Sequence, residues 1–295
     1  MKSILASLLL FFLCCGFTPV RQIVLPLGGR EGVPYFDAQG EGYLVDGFAV
    51  DVEEENVYFT AGGKEAVIFC YSLKENRAVY RKPLKVASSG SLRFIDGKLY
   101  TLAQWTVFCK HSVIVSQINP ATGEVVETKQ GKSPVSINSL IFVDDKISLW
   151  CIENLPQMED KFWQGEYVSS IDSYFLFDLS GNKIEAMDNL YHLNPVILTG
   201  DQKIEHSQYI GRYQGKPVFY DVSDRHVLFY LVDDNGQVIK QSPALPDSEI
   251  GLPFNAASQG NPEDHKLIVG DKMYILAEKD GKAVISVYRM ADLFS

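Results

Sequence analysis

Four polar stretches of the 295-residue chain carry the side chains best suited to chemistry. Residues 30–45 (REGVPYFDAQGEGYLV) set Tyr35, Asp37 and Glu41 among glycines. Residues 153–170 (ENLPQMEDKFWQGEYVSS) carry Glu159, Asp160, Phe162, Trp163, Glu166 and Tyr167. Residues 190–208 carry Tyr191, His192, Asp201, Glu205 and His206, and residues 245–265 carry Asp247, Glu249, Asn255, Glu263, Asp264 and His265. Aromatic rings beside carboxylates suit a sugar, whose C–H face stacks on the ring while its hydroxyls bond to the polar heads. The ligand-binding candidates are Trp163, Tyr167, Tyr35, Asp37, Glu166, His192, Glu205, His206 and His265. Trp163 stands first, because a large aromatic in a polar insertion either meets a ligand or folds back to pin its own loop.

Other chemistries find less support. His192, His206, His226 and His265 are scattered, with no HxH or HxxxH pair to begin a zinc site, so no metal is expected. There is no GxSxG, Walker or GxGxxG element, so neither a nucleophile elbow nor a nucleotide cofactor is expected. With 27 basic and 37 acidic residues the formal net charge is −10, and no basic stretch offers a phosphate footprint, which excludes nucleic acid as a partner. Apolar residues make up 46% of the chain, enough for a large core and too many for a disordered one.

The one long apolar run is Met1–Phe17, MKSILASLLLFFLCCGF. A single lysine, a ten-residue apolar core and small residues after it form a secretory signal pattern, too short for a comfortable membrane span. The mature protein is therefore expected outside the cytoplasm: periplasmic, on the cell surface or secreted. Phe12-Leu13-Cys14-Cys15 is loosely similar to a bacterial lipobox, which makes lipidation of Cys15 the alternative to simple cleavage and the one route to a membrane. Cys70, Cys109 and Cys151 each sit in an apolar run with no CxxC spacing, and read as buried cysteines acting as small hydrophobes.

These stretches hang on a repetitive framework. From about residue 20 apolar residues alternate or come in short runs, with turn signals every 8–12 residues, which predicts an all-β chain. Five segments share one form, an apolar strand, a polar turn and a second apolar strand: GFAVDVEEENVYFTA, SLRFIDGKLYTLA, SLIFVDDKISLWC, YIGRYQGKPVFYDV and KLIVGDKMYILAE. Anchored on Asn56, Lys98, Lys146, Lys216 and Lys272, they recur at intervals of 42, 48, 70 and 56 residues. Third strands such as AVIFCYSL and charged fourth strands such as KIEAM follow each hairpin, and Trp105 in AQWTVF reads as a strand residue. The fifth unit ends without a fourth strand. Residues 21–27, RQIVLPL, are predicted to supply it, with Pro26 tolerated at an edge.

This pattern resembles the β-propeller superfamily over roughly residues 20–295, through generic repeat features and without a Trp-Asp signature. With residues 1–17 read as signal, the resemblance implies 18–295 as one propeller domain. It implies five blades of four antiparallel strands, or six if the 70-residue interval hides a degenerate one, in a ring closed by the N-terminal strand. A β-sandwich or two small β domains is the alternative. It also implies that the four polar stretches gather on one face and that the protein is a binding module for a carbohydrate or a protein partner. A carbohydrate-active enzyme using Asp37, Glu166 or Glu205 is the rival, since glycoside cleavage needs two acids about 5–10 Å apart. Against it, the innermost strands carry Asp46 and Asp51 in the first unit and no acid in the others. A scaffold with no small-molecule site is the third reading.

Overall fold

A computed structural model describes residues 18–29, 31–34, 44–53, 55–62, 66–84, 91–107, 110–133, 139–153, 171–187, 197–200, 202–204, 207–223, 226–246 and 265–295. The signal segment, Cys15 and Cys109 lie outside them.

The described residues form 23 strands and one helical turn. In chain order they begin with β1 (Arg21–Pro26). The first sheet is β2 (Leu44–Asp51), β3 (Asn56–Gly62), β4 (Val67–Ser72) and β5 (Arg77–Pro83). The second is β6 (Leu92–Ile95), β7 (Lys98–Val107), β8 (Lys110–Ile118) and β9 (Val125–Ser133), with Trp105 on β7. The third is β10 (Ser139–Val143), β11 (Lys146–Glu153), β12 (Ile171–Phe177) and β13 (Lys183–Met187). A short hairpin, β14 (Ile197–Thr199) and β15 (Gln202–Ile204), precedes the fourth sheet of β16 (Gln208–Tyr213), β17 (Lys216–Ser223), β18 (His226–Val232), β19 (Val238–Gln241) and β20 (Leu245–Pro246). Last come β21 (Lys266–Val269), β22 (Lys272–Lys279), β23 (Lys282–Arg289) and the turn α1 (Met290–Leu293).

Among the described residues four sheets have four strands, so four blades of the expected form stand where five or six were expected, and the sheet of β16–β20 departs from that form with five strands. The five-stranded sheet is a variation on the others. Both β19 and β20 pair with β18, against Tyr230–Val232 and His226–Val227 respectively, so its outer edge is one strand interrupted at Ser242–Ala244. Pro243 cannot donate to the ladder there, and the Phe229 N–H of β18 donates to the Ser242 hydroxyl at 2.9 Å. Asn56, Lys98, Lys146, Lys216 and Lys272 each open the second strand of a sheet, as their spacing predicts. The last sheet takes its fourth strand from the other end of the chain: β1 lies beside β23, and the Val20 N–H donates to the Val287 carbonyl at 2.8 Å. Repeated four-stranded sheets, each built from consecutive strands, are the units of a propeller. The chain is an all-β protein of propeller arrangement.

The chain divides into two compact units. One holds the first, second and third sheets. The other holds the β14–β15 hairpin, the fourth sheet and β21–β23 with residues 21–24 of β1. Within each unit, sheets adjacent in sequence pack face to face. Ala49, Tyr58, Ile68 and Cys70 of the first sheet meet Leu92, Leu99 and Ile118 of the second, with the Tyr58 and Phe94 rings stacked at 6.0 Å. Leu102, Val113 and Val115 of the second meet Phe142, Ile147 and Phe177 of the third. In the other unit Val218, Tyr220 and Phe229 meet Met273, Ile275 and Tyr288. Strands covered on both faces read as unbroken apolar runs: all of β4 is buried, whereas β5 at the outer edge is half-buried or exposed throughout.

Candidate functional site

Each sheet has two unlike ends. At the turn end, the first and second strands are joined by tight turns through positive-φ residues: Glu55, Asp96-Gly97, Asp144, Gln214-Gly215 and Gly270. The third and fourth strands are joined there too, by a recurring device. A short polar side chain closing the third strand accepts backbone N–H groups a few residues on. Ser72 accepts from Glu75 at 3.2 Å, Asn119 from Ala121 at 2.9 Å, Asp178 from Ser180 at 2.8 Å and Asp233 from Asn235 at 2.9 Å. At the opening end the innermost strand begins and the second strand passes to the third. The connections made by residues 30–43, 154–170 and 247–264 join strand ends there.

The stretch 190–208 departs from that assignment. Residues 197–204 form the β14–β15 hairpin, and the Leu198 N–H donates to the Gly236 carbonyl at 2.9 Å, in the turn between β18 and β19. That is the turn end of the fourth sheet. Ile197 is fully buried there, and burying it decides the route of the chain. The stretch 245–265 is also shorter than its sequence bounds, because Leu245 and Pro246 complete the outer edge of the fourth sheet.

Of the nine ligand-binding candidates, Tyr35, Asp37, Trp163, Glu166, Tyr167, His192, Glu205 and His206 lie outside the described residues. His265 is described and is not a solvent-facing side chain. It is 3% exposed, with Nε2 3.4 Å from the Val45 carbonyl oxygen at the start of β2. Asp51, an inner-strand acid, sits at the turn end and accepts the Glu53 N–H at 3.1 Å, which is a turn-closing role. His226 is exposed at the start of β18. Among the described residues no three His, Cys, Asp or Glu side chains lie together as a metal set would.

At the opening end of the fourth and fifth sheets the structure gathers residues that the sequence does not single out. The Tyr220 hydroxyl donates to Gln208 Oε1. Lys266 Nζ stands 4.3 Å from the centroid of the Tyr220 ring, with only 7% of the residue exposed. A cation on an aromatic face in a desolvated place is held more firmly than one at the surface. Gln208 and Lys266 each open an innermost strand, and that position is the only signal for them in the sequence. The arrangement offers a positive charge, an amide and a hydroxyl, which is equipment for binding.

Cys70 bears out the reading of a buried, inert thiol. Burial, reinforced by the Asp51 carboxylate and offset in part by a hydrogen bond with Tyr80, pushes its pKa up to about 12. Tyr80 is raised as well, first by burial and then by Cys70.

No family model matches the chain, and no curated protein matches it. Solved structures do. A member of the DUF4221 family from Bacteroides vulgatus matches with a TM-score of 0.45 and 11% identity, over 93% of this chain and 98% of that one. BamB from Moraxella catarrhalis matches with 0.33 and 9%, over 92% and 99%. The WD40 repeats of RRP9 match with 0.33 and 10%, over 92% and 67%. At these identities no residue role passes from those proteins to this chain.

Proposed function

We propose that the protein is an exported β-propeller that acts as a binding module, its ring closed by β1. The ligand, a carbohydrate or else a protein partner, is held at the opening end. The observation that carries this reading is the division of labour within each sheet. Tight, side-chain-closed turns occupy one end, while the long connections rich in Trp, Tyr and carboxylates join strands at the other. Loops of that kind on a rigid scaffold are where binding residues concentrate. A carbohydrate is preferred because Trp163, Glu166 and Tyr167 fall within five residues of one another.

A glycan array probed with the wild type and with W163A tests the binding reading. A saccharide signal that W163A loses supports it, and identical profiles remove Trp163 from the site. Mass spectrometry of the exported protein's N-terminus tests the leader. A start between residues 14 and 18, with or without lipid on Cys15, supports export, and an intact Met1 in the cell-envelope fraction overturns it.

A further inference from the structure

A groove lies at the turn end of the second sheet, away from the loops of the proposed function and independent of them. On one face of the second sheet, cross-strand pairing sets Tyr100 opposite Gln117, and Gln117 opposite Glu127. The next row sets Val115 opposite Lys129. The turn between β12 and β13 of the third sheet comes down over this face with Leu179 and Ser180, and Lys98 flanks it. Together they line an open groove of ≈ 190 Å³, smaller than the ~300–1,000 Å³ of pockets for drug-sized molecules.

The groove is built rather than incidental, on three counts. Its roof is held in place: a Cβ on Gly131 of β9 would meet the Gly181 carbonyl oxygen at 1.8 Å, so the two backbones touch with no side chain between them. The roof turn is also closed internally, because Asp178 accepts the N–H groups of Ser180 at 2.8 Å and Asn182 at 2.9 Å. Its floor is anchored, with Tyr100 and Leu179 packed on the core between the two sheets. Yet the polar heads inside are uncommitted. Among the described residues, the exposed Lys98 ammonium and the half-buried Tyr100 hydroxyl and Gln117 carboxamide make no hydrogen bond or ion pair with other protein groups.

Charge decides the ligand class. Of the two lining lysines, Lys129 is engaged by Glu127, whose Oε2 is 3.3 Å from its Nζ, and it acts in turn on Asp178 outside the lining, which leaves Lys98 at the exposed rim. A single unpaired lysine on the exposed rim is no cradle for an anion. What it offers is donors and acceptors side by side with one aromatic ring and two aliphatic side chains, which matches a ring bearing hydroxyls on its rim and C–H groups on its face. We propose that this groove is a binding subsite for a single neutral pyranose unit.

The test is a titration of ¹⁵N-labelled protein with methyl α-glucopyranoside, methyl β-galactopyranoside and N-acetylglucosamine, with sodium sulfate as the ionic probe. The expected result is sugar-dependent shifts concentrated at the amides of Gln117, Lys129, Leu179 and Ser180, with half-saturation on the order of 1–10 mM. Q117A removes one free head from a half-buried position and raises the half-saturation point at least ~fivefold. S180W fills the groove from an exposed turn position and abolishes the shifts while the melting temperature holds. W163A titrates as the wild type does, which separates this subsite from the loops. The proposal is overturned if none of the three sugars moves those amides by ~50 mM, if sulfate moves them and the sugars do not, or if folded S180W still binds.

Discussion

Gly131 and Gly181 meet backbone to backbone, with the Gly181 carbonyl oxygen standing 1.8 Å from the point where a Cβ on Gly131 would be. The first belongs to the outer strand of the second sheet and the second to a turn of the third. Their contact sets how closely those sheets approach.

G131A should therefore destabilise the protein. The obstacle is backbone, which cannot swing aside, so overpacking of about 1–3 kcal/mol is expected. The urea midpoint of G131A measures it. An unchanged midpoint would show that the roof turn yields freely and is no fixed wall.

Tyr80 ties the first sheet to the second. Its hydroxyl donates to the Pro120 carbonyl at 2.9 Å, and its ring lies under Gly123, where a Cβ would come within 2.5 Å of the ring edge. Y80F keeps the ring and loses the hydrogen bond, so a loss of about 1 kcal/mol is expected. The Pro120 carbonyl is at a turn where water can replace the donor, which keeps the effect moderate. A chemical denaturation curve identical to the wild type would remove this bond from the account.

Cys70 gives the protein an alkaline weakness. Its thiol titrates near 9.0 when unhindered and at about 12 when folded. Above pH 9.0 the unfolded chain releases this proton and the folded chain keeps it. Stability is full below pH 9.0 and falls as the pH rises towards 12, by up to about 1.4 kcal/mol per pH unit for one group. The slope of unfolding free energy against pH between 9 and 11 should be smaller in C70A. Burial also predicts that a thiol reagent at pH 8 modifies Cys70 only after denaturant is added, and rapid labelling of the native protein at that position would contradict it.

The N-terminal strand should matter out of proportion to its length. Leu25 is 1% exposed and Ile23 7%, on a strand whose other residues are exposed. L25A should cost about 2–5 kcal/mol. Removing residues 18–27 leaves β23 with an unpaired edge, and self-association at raised concentration is expected. Sedimentation of the shortened chain as an unaltered monomer, together with a wild-type melting point for L25A, would make β1 an ornament of the sheet.

Much of this architecture is legible in the residues. Asn56, Lys98, Lys146, Lys216 and Lys272 mark second strands because turn chemistry and alternation are properties of a few neighbouring residues. The absence of a fourth strand after Arg289 likewise points to residues 21–27, since an open edge calls for a partner. The hairpin at 197–204 was not legible, because its route depends on the burial of Ile197 against the β18–β19 turn. Nor was the burial of His265 or Lys266, whose surroundings come from strands 46 to 220 residues away in the chain.

Strand identity, turn position and the recurrence of a four-stranded unit were thus determined by local pattern, which chain neighbours alone enforce. Which polar side chains end up free in a groove was decided only when two sheets came together. Lys98, Tyr100 and Gln117 look like any other strand residues until Ser180, more than sixty positions on, roofs them over. A site between sheets is a property of distances that no stretch of sequence contains.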